Sequence, residues 1–392
     1  MSNKHKQHPS LRFEELFNNN NNEKLFKNTI FTYKARGAIH SILASLKKSQ
    51  KGNKVLIPAF HCPTVVQPVL LAGFDVEFYQ INLDLTIEFD DLYKRLNNNI
   101  ACVLIINFFG FEQELGDLNT RCKTSDSLIL EDCSHSLYNR NPIRMTGNRG
   151  DVSVFSFWKM IPSFVGGGYK VSSKLNFEPS VGHKLSMMSQ IKIIKNNVEQ
   201  ILNNLPDKNI FKVIYNALEN LRRFSIKGLS HSITSQINSR KMLGKYPIIS
   251  SYFSDNIPWS SRLIIQKAPI AQHVDKIIAN YNMMFGLLQE NKSITPLLKK
   301  LPEQICPWCF PVLISNRSQY DYKLKKDGVN FFTFGETLHE SINNPNVISE
   351  QAKEIAIYLS ESILCLSIHQ NINENDILHS VAKINELKDE CK

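Results

Sequence analysis

The chain has 392 residues, of which 42% are hydrophobic and 21% are charged, which excludes a disordered tail. Its 16 glycines and 16 prolines are too few for a collagenous or low-complexity protein. An excess of 46 Lys and Arg over 36 Asp and Glu gives a formal net charge of +10. This charge favours anionic partners, and phosphorylated small molecules suit it as well as nucleic acid or a membrane surface does. Because no run of five basic residues marks a nucleic-acid footprint, we expect no nucleic-acid partner.

The first ten residues, MSNKHKQHPS, lack the apolar stretch of a signal peptide, and no uninterrupted apolar run reaches the length of a membrane span. We therefore expect a cytoplasmic protein without a membrane span. The eight cysteines are scattered, as is typical of a reducing compartment. One close pair, Cys306 and Cys309 in CPWC, precedes the strand-like run FPVLI, and no second CxxC offers further zinc ligands. We interpret this motif as the packed start of a strand and expect no metal site.

The elements follow in chain order. Residues 1–28 are polar, contain the run NNNNNEK, and predict a flexible N-terminal arm. Apolar spacing then predicts helices at Ala35–Lys48, Pro63–Gly73 and Asp90–Leu96. The predicted strands are Val55–Pro58, Val76–Ile81, Ala101–Gly110, Ser127–Asp132, Asp151–Phe157 and Gly167–Ser173. Strands that are apolar on both faces and separated by helices predict an α/β sheet covered on each side.

The pattern changes twice beyond this sheet. Residues 180–262 are predicted to be helical and carry no recognisable chemistry, and we assign them, together with the sheet, to a large domain at 29–265. Residues 266–392 are predicted to form a small C-terminal α+β domain. Its elements are a strand at Pro311–Ile314, a helix near Tyr320–Lys326 and a final helix from Glu374.

Open α/β sheets bind ligands at the carboxyl ends of their strands, so the residues that follow each strand are the candidates for a site. Asp132 and His135 lie at the end of one predicted strand, and Lys159 follows the next. Arg36 and Gly37 lie at the start of the first predicted helix, where backbone N–H groups can bind a phosphate.

A lysine, a carboxylate on a buried strand and a phosphate cradle are together the groups that pyridoxal phosphate requires. The lysine forms the Schiff base and transfers the proton, which requires a lowered amine pKa. The carboxylate keeps the pyridine nitrogen protonated. The same residue types also suit structural roles: Lys159 as a solvated lysine, Asp132 as a helix N-cap and His135 as a packing histidine.

Longer blocks of the sequence resemble the DegT/StrS family of pyridoxal-phosphate nucleotide-sugar aminotransferases. VLIPAFHCPTVVQPVLLAGFDVEFYQI is similar to the family's block of strand, proline, small-residue turn, helix, Ala-Gly and strand. LILEDCSHSL resembles the block with the family's Asp and Gln/His, and GDVSVFSFWKMIPSFVGGG resembles the block with its lysine. LCLSIHQNINENDI resembles a block near the family's C-terminus. The resemblance covers residue 30 to the end and is weakest between 180 and 262.

The resemblance implies the fold of aspartate aminotransferase, known as fold type I. In that fold a large domain with a mostly parallel, mixed seven-stranded sheet carries a smaller C-terminal α+β domain. It also implies that Lys159 and Asp132 are catalytic, as the Schiff-base lysine and the partner of the pyridine nitrogen. The cofactor-binding residues that it implies are Arg36, Gly37, Phe60, His61, Asp132, His135, Ser156 and Lys159. Of these, His135 faces the ring hydroxyl, Ser156 binds the phosphate, and Phe60 and His61 are the candidates for stacking on the ring.

The activity that the resemblance implies is transamination from an amino acid, such as glutamate, to a keto sugar linked to a nucleotide. Such an enzyme serves the synthesis of surface polysaccharide or a related glycan. The family's active sites lie at subunit boundaries, so a homodimer is expected, with Arg262 as the candidate that reaches the partner's phosphate. Two alternatives stay open: a non-transaminating enzyme of the same fold, such as a sugar dehydratase, and a catalytically idle scaffold. Lys159 argues against a dehydratase, because those relatives replace the lysine.

Overall fold

The computed structural model describes residues 7–49, 52–140, 142–172, 183, 185–204, 241–243, 246–248, 256–288, 294–298 and 301–387. Most of the segment predicted as helical at 180–262 lies outside these ranges. Within it the structure gives a helix at Met187–Asn204 and a short hairpin of Lys241–Leu243 with Tyr246–Ile248.

Seven strands form the main sheet, and a two-stranded hairpin lies between the fifth and the last two of them. In chain order the strands are β1 (Ile30–Thr32), β2 (Lys54–Pro58), β3 (Asp75–Tyr79), β4 (Ile100–Ile106) and β5 (Leu128–Cys133), then the hairpin β6 (Tyr138–Asn139) and β7 (Arg144–Met145), then β8 (Val152–Ser156) and β9 (Gly167–Val171). The order across the sheet is β1-β9-β8-β5-β4-β2-β3. The five strands from β8 to β3 are parallel, while β9 and β1 are antiparallel at one edge. The mixed, mostly parallel seven-stranded sheet expected from the resemblance is therefore confirmed.

Every residue of β4 and β5 is buried, as the unbroken apolar sequence of β4 requires of a central strand covered on both faces. The helices that connect the strands are α1 (Ala35–Leu46), α2 (Pro63–Leu71), α3 (Phe89–Arg95) and α4 (Leu118–Thr124). Helix α2 begins with a proline at its first position and is followed by Gly73 at φ +82°, which are the ordinary start and stop signals of a helix.

The predicted strand Ala101–Gly110 is too long at its C-terminal end. Strand β4 ends at Ile106, and Phe108–Gly110 form a helical turn in which Phe109 has a φ of +56°. A residue in this left-handed region cannot continue a strand. The early stop places Asn107 and Phe109 at the carboxyl edge of the sheet, next to the end of β5.

The C-terminal part contains helices α6 (Trp259–Lys267), α7 (Ile270–Leu288), α8 (Ser318–Lys326), α9 (Glu350–Ser362) and α10 (Glu374–Glu386), which follow α5 (Met187–Asn204). With the hairpin strands at Lys241–Leu243 and Tyr246–Ile248 counted as β10 and β11, a four-stranded antiparallel sheet has the order β12-β13-β15-β14. Its strands are β12 (Thr295–Pro296), β13 (Phe310–Leu313), β14 (Phe331–Phe332) and β15 (Ile363–Leu366). Strand β13 directly follows CPWC, and both cysteines are buried, which confirms the motif as a strand entry.

Residues 7–28 lie against the rest of the protein at several points. Leu11 and Phe26 are buried in the core, and the backbone N–H of Ser10 donates to Asn371 Oδ1 at 2.9 Å. The side-chain amide of Asn22 donates to the carbonyls of Ile265 and Ala268. The flexibility of the arm at 1–28 stays a prediction. The domain bounds 29–265 and 266–392 also stay predictions. Among the helices that the structure describes, none is long and apolar enough to span a membrane.

Candidate active site

A cavity of about 190 Å³ lies at the carboxyl ends of β4, β5 and β8, where it also meets the start of α1 and the turn after β2. Five of the predicted site residues line it together, although they are up to 123 positions apart in the sequence: Arg36, Asp132, His135, Ser156 and Lys159. The carboxyl edge of the sheet is therefore the place where the predicted residues meet, as expected for an open α/β sheet.

Lys159 ends the helical turn Phe157–Lys159 that follows β8. Its Nζ lies 4.6 Å from the centre of the Trp308 ring and makes no hydrogen bond or ion pair with another residue that the structure describes. Burial lowers the pKa of Lys159, and the negative charge of Asp132 opposes that shift. The amine is thus easier to deprotonate than an ordinary lysine, which a nucleophile or a base requires.

Asp132 lies near the end of β5 and is 5% exposed. Its Oδ1 accepts a hydrogen bond from the backbone N–H of Ser134 at 2.9 Å, which fixes the orientation of the carboxylate. The neighbouring Glu131 points elsewhere and accepts hydrogen bonds from the backbone N–H groups of Arg149 and Gly150. Alternation of side chains along a strand explains why only one of these two acids lines the cavity.

His135 is buried within a cluster of aromatic rings. Its imidazole stacks on Trp308 at 4.2 Å between ring centres and on Phe109 at 5.8 Å, and the centre of the Phe334 ring, which is nearly perpendicular to it, lies 4.7 Å away. Burial and the nearby Lys159 hold the pKa of His135 well below its usual range, so the ring is neutral. Its Nδ1 lies 3.4 Å from the backbone N–H of Phe109 and accepts from it, which leaves the proton on Nε2.

The start of α1 forms another part of the cavity lining. Ala35 and Arg36 line the cavity, whereas Gly37 does not, and the N–H of Gly37 already donates to the carbonyl of Lys34 at 3.0 Å. Of the two residues predicted to form the backbone cradle, Arg36 therefore lines the cavity, whereas the N–H of Gly37 takes part in the first hydrogen bond of the helix.

Gly167 in β9 lets α1 approach the sheet. A Cβ atom at this position would lie 2.3 Å from the backbone N of Ala35 and equally close to the carbonyl carbon of Lys34. Only glycine fits where two backbone segments are this close. The glycine run after Lys159 thus positions the helix start beside Ser156, which pairs with Gly167 across the two strands.

Phe60 and His61 do not line the cavity. Phe60 packs on Phe108 and Phe334, and His61 stacks on Phe78 while its Nδ1 hydrogen-bonds the carbonyl of Ala59 at 2.9 Å. Both side chains are fully buried. Their predicted contact with a cofactor ring has no support in this geometry. Arg262, on α6, is exposed and lies 5.2 Å from the Phe31 ring, away from the cavity.

Sequence reasoning missed several residues that line the cavity: Lys34, Cys62, Thr64, Trp158 and Phe334. Lys34 is the N-cap of α1, and its Nζ lies 4.8 Å from the centre of the Trp158 ring. Burial, Arg36 and Lys159 lower the pKa of Lys34 to about 8. One sequence signal was present: Lys34 and Arg36 flank a helix N-terminus, where the helix dipole disfavours cations unless an anion binds there.

Residues 9–172 match the sequence profile of the DegT/DnrJ/EryC1/StrS aminotransferase family. GDP-perosamine synthase of Vibrio cholerae is 26% identical over 133 residues, which are 33% of this chain and 36% of that protein. UDP-4-amino-4,6-dideoxy-N-acetyl-beta-L-altrosamine transaminase of Campylobacter jejuni is 26% identical over 168 residues, which are 42% of this chain and 41% of that protein. These matches therefore span less than half the length of each curated relative.

The similarity of fold extends further along the chain. PseC of Helicobacter pylori, an aminotransferase of pseudoaminic acid biosynthesis, matches with a TM-score of 0.67 at 15% identity, over 99% of this chain and 100% of that one. DesV of S. venezuelae, determined in complex with a ketimine intermediate, matches with a TM-score of 0.60 at 14% identity, over 92% of this chain and 84% of that one. The family match over residues 9–172 and the shared fold confirm that this chain resembles the DegT/DnrJ/EryC1/StrS aminotransferases and has their fold type I architecture.

Proposed function

We propose that the protein is a pyridoxal-phosphate-dependent aminotransferase that moves an amino group from glutamate to a nucleotide-linked keto sugar, for surface polysaccharide or related glycan biosynthesis. One observation carries this proposal. The amine of Lys159 with its lowered pKa, the buried carboxylate of Asp132 and the cationic N-terminus of α1 line the same cavity. Each of these groups suits a different part of pyridoxal phosphate.

The residues present fit this cofactor at both ends. Lys34 and Arg36 place two cations at the start of α1, and Ser156 adds a hydroxyl, so this end suits a phosphate dianion. The chemistry of the other end suits the pyridine ring, because the oriented carboxylate of Asp132 can hold a proton on the ring nitrogen. With Lys159 counted as a cation, the cavity's three cations exceed its one carboxylate, so an anionic ligand is favoured.

Bound pyridoxal phosphate supplies an electron sink for the charge left when a proton is removed from the amino acid's Cα. Lys159 Nζ is the base that holds this proton, and its lowered pKa keeps the amine competent near neutral pH. Asp132 would stabilise the positive charge of the cofactor's ring nitrogen. His135 would donate from Nε2 to the ring hydroxyl of the cofactor, because its Nδ1 accepts from the N–H of Phe109.

The substrate class is supported by the curated relatives, whose names refer to GDP-perosamine and to a UDP-linked amino sugar. The cytoplasmic location that we propose is supported by the cysteines. All seven in the described part of the chain are free thiols, as expected in a reducing compartment.

We further propose a homodimer. Large apolar side chains are exposed on α5 and α6, two helices that contact each other: Met187 is 79% exposed, Ile191 50% and Trp259 57%. A cluster of exposed apolar side chains on neighbouring helices is typical of a protein–protein interface. Arg262 lies on α6 beside Trp259, so its guanidinium would reach the partner subunit rather than its own cavity.

The link to the cofactor is the direct test. The purified protein should be yellow, and borohydride reduction followed by peptide mass spectrometry should map the adduct to Lys159. Lys159→Ala should fold and lose this adduct, while Lys170→Ala, a matched control on β9, should keep it. An adduct on Lys34, the other lysine of the cavity, would overturn the assignment. A colourless protein that binds no cofactor would overturn the proposed function itself.

A further inference from the structure

A second chamber of about 340 Å³ adjoins the cavity and shares four of its residues, Cys62, Trp158, Lys159 and Phe334. Its remaining walls come from the C-terminal part of the protein and from the N-terminal segment, in which Gln7 and His8 line it. Lys159 therefore faces both spaces. If the cavity holds the cofactor, the chamber is the space in which a substrate meets Lys159.

The N-terminal segment is held against the C-terminal part beside this chamber. The N–H of Ser10 donates to Asn371 Oδ1 at 2.9 Å, and the hydroxyl of Ser367 donates to the carbonyl of Gln7 at 3.5 Å. Leu11, the next residue, is 1% exposed and is part of the core. Residues 7–10 are thus tied on both sides of His8, and the backbone holds the imidazole over the chamber.

The His8 ring contacts two other walls of the chamber. The centre of its ring lies 5.1 Å from that of Trp158, edge to face, and 5.7 Å from that of Phe332. Burial, together with the charges of Lys159 and Lys34, lowers the pKa of His8 to about 4. Lys325 is a second cation that lines this chamber, besides Lys159. At neutral pH His8 is therefore an uncharged imidazole with one donor and one acceptor nitrogen.

These properties select among the substrates of a transaminase. A hydroxyl group both donates and accepts, so it suits a neutral imidazole, whereas the carboxylates of an amino-acid donor suit cations. Aromatic walls suit the apolar faces of a sugar ring: besides His8 the chamber has Trp158, Trp308, Phe331, Phe332 and Phe334. Apart from its cations Lys159 and Lys325, the lining of the chamber therefore suits the sugar acceptor better than the amino-acid donor.

We propose that the N-terminal segment Gln7–Ser10 forms one wall of the acceptor chamber and that His8 binds a hydroxyl of the acceptor sugar and determines specificity for it. This inference rests on the proposed function. It gives the N-terminal arm a role in substrate recognition that is independent of cofactor binding.

The first test compares two reagents that attack the lysine–cofactor bond of the holoenzyme, hydroxylamine and the bulkier O-benzylhydroxylamine. Loss of the His8 ring widens the chamber. His8→Ala should therefore raise the rate of reaction with O-benzylhydroxylamine at least about fivefold, while the rate with hydroxylamine changes less than about twofold. Phe13→Ala, in the same N-terminal arm but outside both spaces, is the matched control and should change neither rate. Equal effects on both reagents, or none, would overturn the proposal.

The second test measures KM in each half-reaction. L-glutamate is the substrate of the first, and the second is run in reverse, with GDP-perosamine or the UDP-linked amino sugar as the amino donor. His8→Ala should raise KM for the amino-sugar nucleotide about tenfold more than KM for glutamate, as expected for one lost hydrogen bond in a closed site. His8→Gln, which keeps a donor and an acceptor, should recover part of this loss, and His8→Phe should not. Equal changes in both KM values would overturn the proposal. If neither nucleotide reacts, the reagent pair decides alone. A wild-type protein that reacts with no reagent and has no colour would instead contradict the proposed function.

Discussion

Lys34 is the residue whose environment most directly predicts a ligand. It is a cation at a helix N-terminus, beside Arg36 and with a pKa lowered to about 8, so the site without an anion is electrostatically unfavourable. A phosphate bound there would stabilise the protonated amine and raise its pKa.

Lys34→Met should therefore weaken binding of pyridoxal phosphate about tenfold, as expected for one charge-assisted hydrogen bond, and leave binding of pyridoxal nearly unchanged. In the wild type the affinity for pyridoxal phosphate divided by the affinity for pyridoxal should fall as pH rises through about 8, since Lys34 then loses its proton. The variant should lack this fall. Tryptophan fluorescence quenching of the apoprotein measures both affinities, and using their ratio cancels the titration of Lys159.

The control for this experiment is Lys94→Met, an exposed lysine on α3 that lies outside the cavity. It should leave both affinities unchanged. If Lys34→Met weakened pyridoxal and pyridoxal phosphate equally, Lys34 would have a structural role and no contact with the phosphate.

Among the individual site residues, the sequence predicted those that lie at strand ends and missed those that only tertiary contacts bring to the site. Asp132 and Lys159 follow directly from the rule that sites form at carboxyl ends of parallel strands, and the family resemblance adds Ser156. Phe334 and His8 come to the site from distant parts of the chain, and no local sequence pattern predicts that they lie there. Phe60 and His61 follow a strand as well, yet their side chains pack into the core, which sequence spacing does not distinguish.

Among the elements, the contact between α1 and β9 has the least space. Gly167→Ala would place a methyl group 2.3 Å from the Ala35 nitrogen, so the first turn of α1 must move away from the sheet. We expect a loss of about 1–3 kcal/mol in the free energy of unfolding, as is usual for overpacking, and weaker cofactor binding because the helix start is displaced.

The matched control is Gly286→Ala, an exposed glycine inside α7 whose Cβ would have no atom within 4 Å. This substitution should raise stability by about 0.5–1 kcal/mol, because alanine favours a helix more than glycine does. Urea denaturation measures both changes. A Gly167→Ala variant as stable as the wild type would show that α1 and β9 have more room between them than the structure indicates.

Long elements with clear periodicity were predicted well, while short ones depended on their partners. The helix at Ala35, the helix at Pro63 and the final helix from Glu374 all have their predicted starts. Strand β1 was missed, since its three residues carry no period and are ordered by pairing with β9. Helix α4 was also missed: only Leu118 and Cys122 of its seven residues are buried, which gives a weak apolar pattern.

For the whole molecule, the exposed apolar surface of α5 and α6 makes the dimer testable. Trp259→Asp should give a monomer by analytical ultracentrifugation, because a charge in the interface is costly to desolvate. The monomer should also lose its cofactor if the partner subunit completes the phosphate site. Trp259 is 57% exposed, so the monomer itself should stay folded.

Tyr322→Asp is the control for the dimer, since Tyr322 is 78% exposed on α8, in the C-terminal part of the chain. It should leave assembly and cofactor content unchanged. A Trp259→Asp protein that sediments as a dimer with full cofactor would contradict this interface, and a fully active monomer would contradict a shared site.

The edge position of β1 has a consequence for synthesis on the ribosome. Within the described part of the chain β1 pairs only with β9, and Ile30 lies opposite Tyr169, 139 residues later. At typical translation rates this partner emerges roughly 7–28 s after β1 does. Until then the start of α1 lacks the strand that it packs against at Gly167, so the nascent chain cannot complete the proposed anion site. The last wall, at Phe334, arrives later still. Ligand capture must therefore follow translation of most of the chain.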